Sequence, residues 1–459
     1  MKQHHLDFDV LRQWTIGVRE AYQRTLEQYV NIPSVSMEPE RKGDVLRQAQ
    51  AAVATLTEFG ANQVELVPTK GNPVVFARFE TDPSAPTVTI YNHLDVQPAN
   101  EPEWTSEPFR FRHVDDRYFG RGATDDKGPA LAALFGARKG LDDGARINVQ
   151  ILWELEEEIG SPNFAEALTT LGDRLRPGTV VVSDTIWIAR GRPAVPAGLR
   201  GLQTYTFTLE VGATDQHSGT TGGAARNPVA ELAEVAAACV DAKTGRCKVP
   251  GFYHDVVKPT KQELRDFAGS GFSVAQFMKD HGFKSIRTKD KLEVMKRIWA
   301  LPTFELHGLV GGYAGPGVKT VIPPRAELKV STRLVPDQRP EAIARLVAKH
   351  VKRVNKDVKV TAQHALRPYR GVTSGPHADA VKRAMAFAFG RAPVFVREGG
   401  SIGAVVTMQE RLKAPVMFLG LSLPEHGYHA PNENFDWEQA SGGMIAFAAY
   451  LHELAAMEK

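Results

Sequence analysis

The acidic run Glu156-Glu157-Glu158 follows directly on an apolar stretch, 147–155. Three carboxylates at the end of a buried strand repel one another unless a cation or a shared proton offsets them. The chain repeats this arrangement. His93-Leu94-Asp95 closes the apolar run 87–91, and Asp184 closes the run 179–183. His-x-Asp suits a metal-binding imidazole whose geometry and basicity are set by a nearby carboxylate. Asp125-Asp126 sits in Gly120-Arg121-Gly122-Ala123-Thr124-Asp125-Asp126-Lys127-Gly128, whose glycines let the backbone fold tightly around a ligand. That segment is no phosphate loop: the Gly-x4-Gly-Lys-[Ser/Thr] spacing is absent, and two acids would repel phosphate. Far downstream, Glu425-His426-Gly427-Tyr428-His429 follows the run 416–421. Taken singly, these features read as a surface His-x-Asp, a capped helix start and an exposed acidic loop. Together, one histidine and acids at three successive strand ends, plus a distant histidine, fit a di-metal site better than coincidence.

The elements that must position these groups are readable from hydrophobic periodicity. Helices are predicted at 17–31 and 44–59, with Gly60 as a stop, then strands at 63–67, 74–79 and 87–91. A helix near 128–139, a strand at 147–155, a helix near 162–170 and a strand at 179–183 follow. This alternation indicates an α/β layer with a mostly parallel sheet. After about residue 199 the order becomes strand 203–211, helix 228–241, strands 303–309 and 326–334, helix 340–354 and strand 358–363. That βαββαβ order is the split arrangement of a small α+β, ferredoxin-like domain. Residues 243–300 interrupt it with extra helical material. From about 369 the α/β style returns, with a helix near 377–389, strands at 393–396 and 416–421, and a final helix at 436–456. The expected division is therefore 1–198 and 369–459 as two pieces of one catalytic domain, with 199–368 inserted between them.

The 459 residues carry 56 Lys and Arg against 53 Asp and Glu, a formal charge of +3, with 42% hydrophobic residues. A core of ordinary size is available, which argues against a disordered, collagenous or disulfide-stapled chain. So small a charge surplus gives no ground for a nucleic-acid or membrane partner. The two cysteines, Cys239 and Cys247, cannot form a Cys-rich zinc site and read as reduced cytosolic thiols. Residues 1–9 hold no apolar signal-peptide core, and no apolar run approaches the roughly 20 residues that span a bilayer. A soluble cytoplasmic protein is expected.

The motifs, in this order and spacing, resemble the di-zinc aminoacylase/carboxypeptidase family, which includes desuccinylases and acetylornithine deacetylases. The likeness is strongest to its carnosinase-like, cytosolic non-specific dipeptidase branch. It is carried by His93-Leu94-Asp95-Val96-Gln97-Pro98, Gly120 to Gly128, Glu157-Glu158-Ile159-Gly160-Ser161, Asp184, Asp215-Gln216-His217-Ser218-Gly219, Arg333-Leu334-Val335-Pro336, Glu398-Gly399-Gly400-Ser401 and His429. The resemblance implies a two-piece catalytic domain of the zinc-peptidase type with an inserted lid and dimerisation domain. It implies that His93 and Asp184 hold one metal, Glu158 and His429 the other, and that Asp125 bridges both. It also implies a cis Asp125–Asp126 bond, Asp95 as the residue orienting His93, and Glu157 as general base. His217 would polarise the scissile carbonyl from the neighbouring subunit, Arg333 would clamp a substrate carboxylate, and the loop with Gly400 and Ser401 would help bind it. The implied cofactors are two divalent ions, Zn²⁺ first, with Mn²⁺ or Co²⁺ as alternatives.

The implied reaction is hydrolysis of a short peptide with a free C-terminal carboxylate; the runner-up is an N-acyl amino acid deacylase of the same family. Two rivals remain. Gly399-Gly400-Ser401-Ile402-Gly403 matches the serine nucleophile elbow, with Asp436 and His452 in the required order. That reading leaves the acidic strand ends unexplained. A dimeric binding protein that has lost catalysis is the other, although every expected position is filled.

Overall fold

The computed structural model describes residues 6–457, so residues 1–5 of the signal-peptide reading lie outside the described residues. The central sheet has six strands in the order Gln63–Val67, Val74–Phe79, Asn148–Glu154, Thr87–His93, Thr179–Val182, Val416–Phe418. Five strands run in one direction and Val74–Phe79 alone runs against them, so the sheet is mostly parallel, as expected, with one reversed strand. Thr87–His93, Asn148–Glu154 and Thr179–Val182 are adjacent, parallel and wholly buried. Their C-terminal ends therefore open on one edge, where α/β folds gather their chemistry.

Helices cover this sheet closely. Lys127–Asp142 packs on Trp437–Ala456, and glycine permits the approach. A Cβ at Gly136 would lie 2.3 Å from the Met444 carbonyl oxygen. The first helix runs Phe8–Val30 and starts well before the predicted 17. Asp7 caps it, accepting from the Asp9 and Val10 amides, so the helix begins at its cap rather than at its strongest apolar periodicity.

One hydrophobic core draws on residues from Leu11 to Leu199 and again from Tyr369 to Leu454. A second draws on residues from Tyr205 to Val358. The second core lies under an antiparallel sheet ordered Thr303–Gly311, Arg325–Leu334, Gly201–Glu210, Lys359–Leu366. Helices Pro228–Cys239 and Pro340–Val354 pack on it. Gly201–Glu210 alternates buried and half-buried positions along its length, the period-2 signature of a strand with one covered face.

Two features differ from the sequence reading. Val394–Glu398 does not join the central sheet. It pairs in parallel with Ala194–Leu199, a strand the periodicity did not reveal, in a separate three-stranded sheet. The helical material at 243–300 packs on that strand as well as on the inserted domain. Phe267, Met295 and Trp299 cluster with Ala194 and Val396, and Glu263 pairs with Arg397 at 2.6 Å. Cys239 and Cys247 are buried and unpaired, their thiols pushed up to about 12 by burial. Among the described residues no helix is long and apolar enough to cross a membrane.

Candidate active site

Asp125 sits at the floor of a pocket of about 930 Å³ between the central sheet and the inserted domain. Its two carboxylate oxygens face different partners. Oδ1 lies 3.0 Å from His93 Nε2, which is itself 3.8 Å from Asp184 Oδ2. Oδ2 lies 2.9 Å from His429 Nε2, which is 3.2 Å from Glu158 Oε2. The structure thus brings together at one place His93, Asp125, Glu158, Asp184 and His429, the five residues that the resemblance names as ligands. The Asp125–Asp126 peptide bond is cis, also as expected.

Asp95, expected to orient His93, is wholly buried behind this floor. Its carboxylate accepts from the Glu157 and Glu158 amides at 3.2 and 3.1 Å and from Ser36 Oγ at 2.7 Å. His93 Nδ1 lies nearer the Asp95 carbonyl oxygen, 3.0 Å, than its carboxylate, 3.5 Å. The acidic triplet divides its tasks. Glu156 turns away to accept from the Asn72 amide and Asn163 Nδ2. A Glu157 carboxylate oxygen lies within 4.8 Å of donor atoms of His93 and Asp184. Glu158 accepts from Gln97 Nε2 at 2.7 Å.

The charge balance of the floor calls for cations. Asp125, Glu157, Glu158 and Asp184 crowd together, and none forms an ion pair with a lysine or arginine among the described residues. Burial, then the neighbouring acids, pushes Glu157 well above the usual carboxylate range, although His93 pulls against this. Burial lifts Asp184 to about 7. Burial opposes the charge on His93 and His429, but hydrogen bonds to Asp125 and its neighbours outweigh it. His93 stands well above the ordinary imidazole value and His429 at about 11. Asp125 moves the opposite way: burial would raise it, yet His429 and His93 hold it below the carboxylate range. A dication bound between these imidazoles and carboxylates would supply the positive charge that the acids otherwise draw from the imidazoles. Two groups of donor atoms, His93 with Asp125 and Glu158, and His93 with Glu157 and Asp184, each fall within 4.8 Å of one another. The nitrogen and carboxylate donors suit Zn²⁺, Mn²⁺ or Co²⁺.

Arg333, Gly400 and Ser401 line the wall of the same pocket. Arg333 Nη1 donates to Ser401 Oγ at 3.0 Å, and no carboxylate pairs with Arg333 among the described residues. Ser401 Oγ in turn donates to the Arg200 carbonyl. That hydroxyl proton thus goes to a backbone carbonyl rather than to a histidine. Asp436, which the serine-hydrolase reading required, is committed to His426 Nε2 at 3.0 Å and to Arg190. The catalytic serine is thereby excluded. His217 stands apart from the pocket. It is exposed on a two-stranded ribbon, Gln216–His217 with Val321–Ile322, and accepts from the Gly219 amide.

Several pocket residues were not singled out from sequence. His364 lines the wall at a β-bulge between Gln363 and Ala365, and a bulge that re-aims one side chain leaves no mark in periodicity. Tyr428 donates to Asp184 Oδ1 at 3.2 Å; its place beside His429 was the available signal. Glu398 lines the pocket with Oε2 lacking a hydrogen-bond partner, and burial lifts its carboxyl to about 8. Wholly buried Glu433 organises the Gly120–Asp125 turn from behind.

The layered α/β fold, its inserted domain and this donor set define a metal-dependent hydrolase. Peptidase family M20/M25/M40 matches residues 89–453. The chain is 32% identical to the Cys-Gly metallodipeptidase dug1 of Schizosaccharomyces pombe, over 96% of each chain. It is 32% identical to the human Beta-Ala-His dipeptidase, over 95% of this chain and 90% of that one. The solved M20 family metallo-carboxypeptidase Sso-CP2 of Sulfolobus solfataricus superposes with a TM-score of 0.88, covering 95% of this chain and 99% of that one at 29% identity. This chain belongs to the peptidase family M20/M25/M40, on its carnosinase-like branch.

Proposed function

We propose that this protein is a di-metal dipeptidase, hydrolysing the amide bond of short peptides that carry a free C-terminal carboxylate. The observation that carries this reading is Asp125, whose two carboxylate oxygens each face a separate histidine–carboxylate pair at the pocket floor. Two ions held there would polarise the scissile carbonyl and lower the pKa of a shared water. His93 and Asp184 would hold one ion, Glu158 and His429 the other, with Asp125 shared between them. Glu157, on the floor beside them, takes the proton of the attacking water and delivers it to the leaving nitrogen.

The pocket wall supports a dipeptide-sized substrate. Arg333 and Ser401 supply a fixed cation and a hydroxyl for the substrate carboxylate. Glu398, three residues before Ser401 and at most about 10 Å of chain away, offers a buried carboxyl to an ammonium group. An N-acyl amino acid has no ammonium and would leave Glu398 unpaired, so the deacylase alternative is disfavoured.

Finer features follow from the same reading. Zinc is the native metal. Residues 199–368 form the lid, and the lid forms a homodimer in which His217 completes the partner's site. The outer edge strand, Thr303–Gly311, supports this by exposing Leu306, Leu309 and Val310. The protein works in the cytoplasm, in keeping with its two unpaired buried thiols.

The test is a substrate panel. Dialysis against a chelator abolishes hydrolysis of free dipeptides, and Zn²⁺, Mn²⁺ or Co²⁺ restores it. Losing the carboxylate–Arg333 contact costs roughly 1.5–3 kcal/mol, about 10- to 150-fold in kcat/KM. Amidated dipeptides are therefore poor substrates for the wild type and little worse than the acids for Arg333→Ala. Cleavage of N-acetyl amino acids in preference to every free dipeptide would overturn the reading.

A further inference from the structure

A second cavity, of about 210 Å³, adjoins the catalytic pocket, and Glu398 lines both. Four parts of the chain build its walls, the smallest contribution being Pro424. Ile186, Trp187 and Ile188 come from the segment that leaves Asp184. Phe272, Phe277 and Trp299 come from the helical material at 243–300, for which the sequence suggested no chemistry. The end of the strand Val394–Glu398 supplies the third side. The rings are packed against one another before any ligand arrives. Phe272 meets Trp299 edge-on at 5.8 Å and Phe277 at a tilt at 5.4 Å. Trp187 and Trp299 are 3% and 9% exposed and form the inner wall, while half-buried Phe272 and Phe277 and the exposed Gln276, Asp280 and His281 line the outer side. Arg397, whose side chain is 3% exposed, also lines the cavity. It spends Nε and Nη2 on Glu263 and leaves Nη1 without a hydrogen-bond partner.

The volume decides what the cavity holds. It lies below the roughly 300–1,000 Å³ of a pocket for a whole ligand, so it fits part of a molecule bound next door. On the dipeptidase reading, on which this inference rests, the substrate carboxylate lies at Arg333 and the ammonium at Glu398. The carbon between the ammonium and the scissile carbonyl then lies between Glu398 and the Asp125–Asp184 floor. A side chain on that carbon leaves the catalytic pocket where Glu398 and the residues just after Asp184 border the second cavity. We propose that this cavity is the subsite for the side chain of the substrate's amino-terminal residue and that it selects large apolar and aromatic side chains, including tyrosine. Leucine, methionine, phenylalanine and tyrosine side chains gain apolar contact with the rings. The phenol oxygen of tyrosine can additionally accept from Arg397.

The experiment uses the metal-loaded full chain and a series of X-Gly dipeptides with Gly, Ala, Leu, Phe or Tyr at the first position. Burial of a large apolar side chain predicts kcat/KM for Phe-Gly and Tyr-Gly about 10- to 100-fold above Gly-Gly. Ile188→Trp, which fills the cavity, lowers the Phe-Gly to Gly-Gly ratio to within about threefold of unity. Phe277→Ala, which removes one ring from the wall, also lowers that ratio and keeps the test available should the larger substitution not fold. A readout independent of turnover uses analogues in which CH₂–NH replaces the amide. The Phe-Gly analogue, but not the Gly-Gly analogue, changes the tryptophan fluorescence contributed by Trp187 and Trp299. Equal kcat/KM across the series, or a ratio that neither variant changes, overturns the subsite while leaving the dipeptidase intact. Hydrolysis of N-acetyl amino acids but of no free dipeptide overturns both.

Discussion

Glu433 Oε1 accepts from the backbone amide of Asp125 at 3.0 Å, so a buried carboxylate fixes the peptide that carries the bridging aspartate. The same carboxylate accepts from the Thr124 and Gly122 amides at 2.9 and 3.0 Å and from Arg121 Nη1 at 3.0 Å. Every lone pair in use is aimed at one six-residue turn. This turn was legible as a ligand-binding segment from its glycines and acids, but the residue that shapes it lies 308 positions downstream.

Glu433→Gln replaces one accepting oxygen with a donor that must face either Arg121 or the turn amides. The variant is expected to fold and to bind divalent ions about 10- to 100-fold more weakly than wild type, the usual cost of disturbing the groups that orient metal ligands. Equilibrium titration with Zn²⁺ measures this directly. Wild-type affinity with lowered thermal stability alone would make Glu433 merely structural.

Glu157 and Glu158 are neighbours in sequence with different expected losses. Glu157→Ala retains both ions and loses about 10²–10⁴-fold in kcat, the range for acid–base catalysis. Glu158→Ala loses metal, because its carboxylate is the one beside His429. Metal analysis alongside kinetics separates the two, and the reverse pattern would shift the assignment along the triplet by one residue.

The parts legible in the sequence were those with local signatures. Strands ending in His93, Glu154 and Val182 announced themselves as apolar runs closed by acids, and the βαββαβ order by its alternating periods. What escaped depends on contacts between distant segments. Ala194–Leu199 contains Pro196 and Gly198, poor strand formers, and is a strand because Val394–Glu398 and Tyr369–Arg370 pair with it. His364 enters the pocket wall through a bulge, and Glu398 through a strand that left the central sheet. The predicted serine elbow had the right local form; only the partners of Ser401 and Asp436 show that no triad forms.

Asp436 gives a stability signature in acid. Burial would raise its carboxyl, but hydrogen bonds from His426 and Arg190 outweigh that and hold it well below the ordinary 3.8. A depressed carboxylate binds fewer protons folded than unfolded. Its stabilisation is therefore complete above that ordinary value and is lost as pH falls below it toward the folded one. Arg190→Ala weakens the depression, so it destabilises near pH 6 and its deficit shrinks at about pH 3. Urea midpoints of the two chelator-treated proteins at both pH values measure the difference. A deficit that stays constant or grows in acid would remove Asp436 as its source.

His217 is an expected site residue that the fold leaves exposed and apart from its own pocket. It is exposed at the end of a short ribbon, on the inserted domain whose edge strand bears Leu306, Leu309 and Val310. A histidine so placed can serve catalysis only by entering the pocket of a second copy, and twofold symmetry makes that exchange mutual. His217→Ala and Glu157→Ala homodimers are then each inactive for different reasons. Mixed and allowed to exchange statistically, half the dimers are heterodimers. Each heterodimer holds one site with an intact Glu157 and an intact visiting His217, so about a quarter of wild-type activity per site returns. Subunit exchange is verified independently with two affinity tags. Demonstrated exchange without recovery would confine His217 to its own chain and remove the catalytic reason for a dimer.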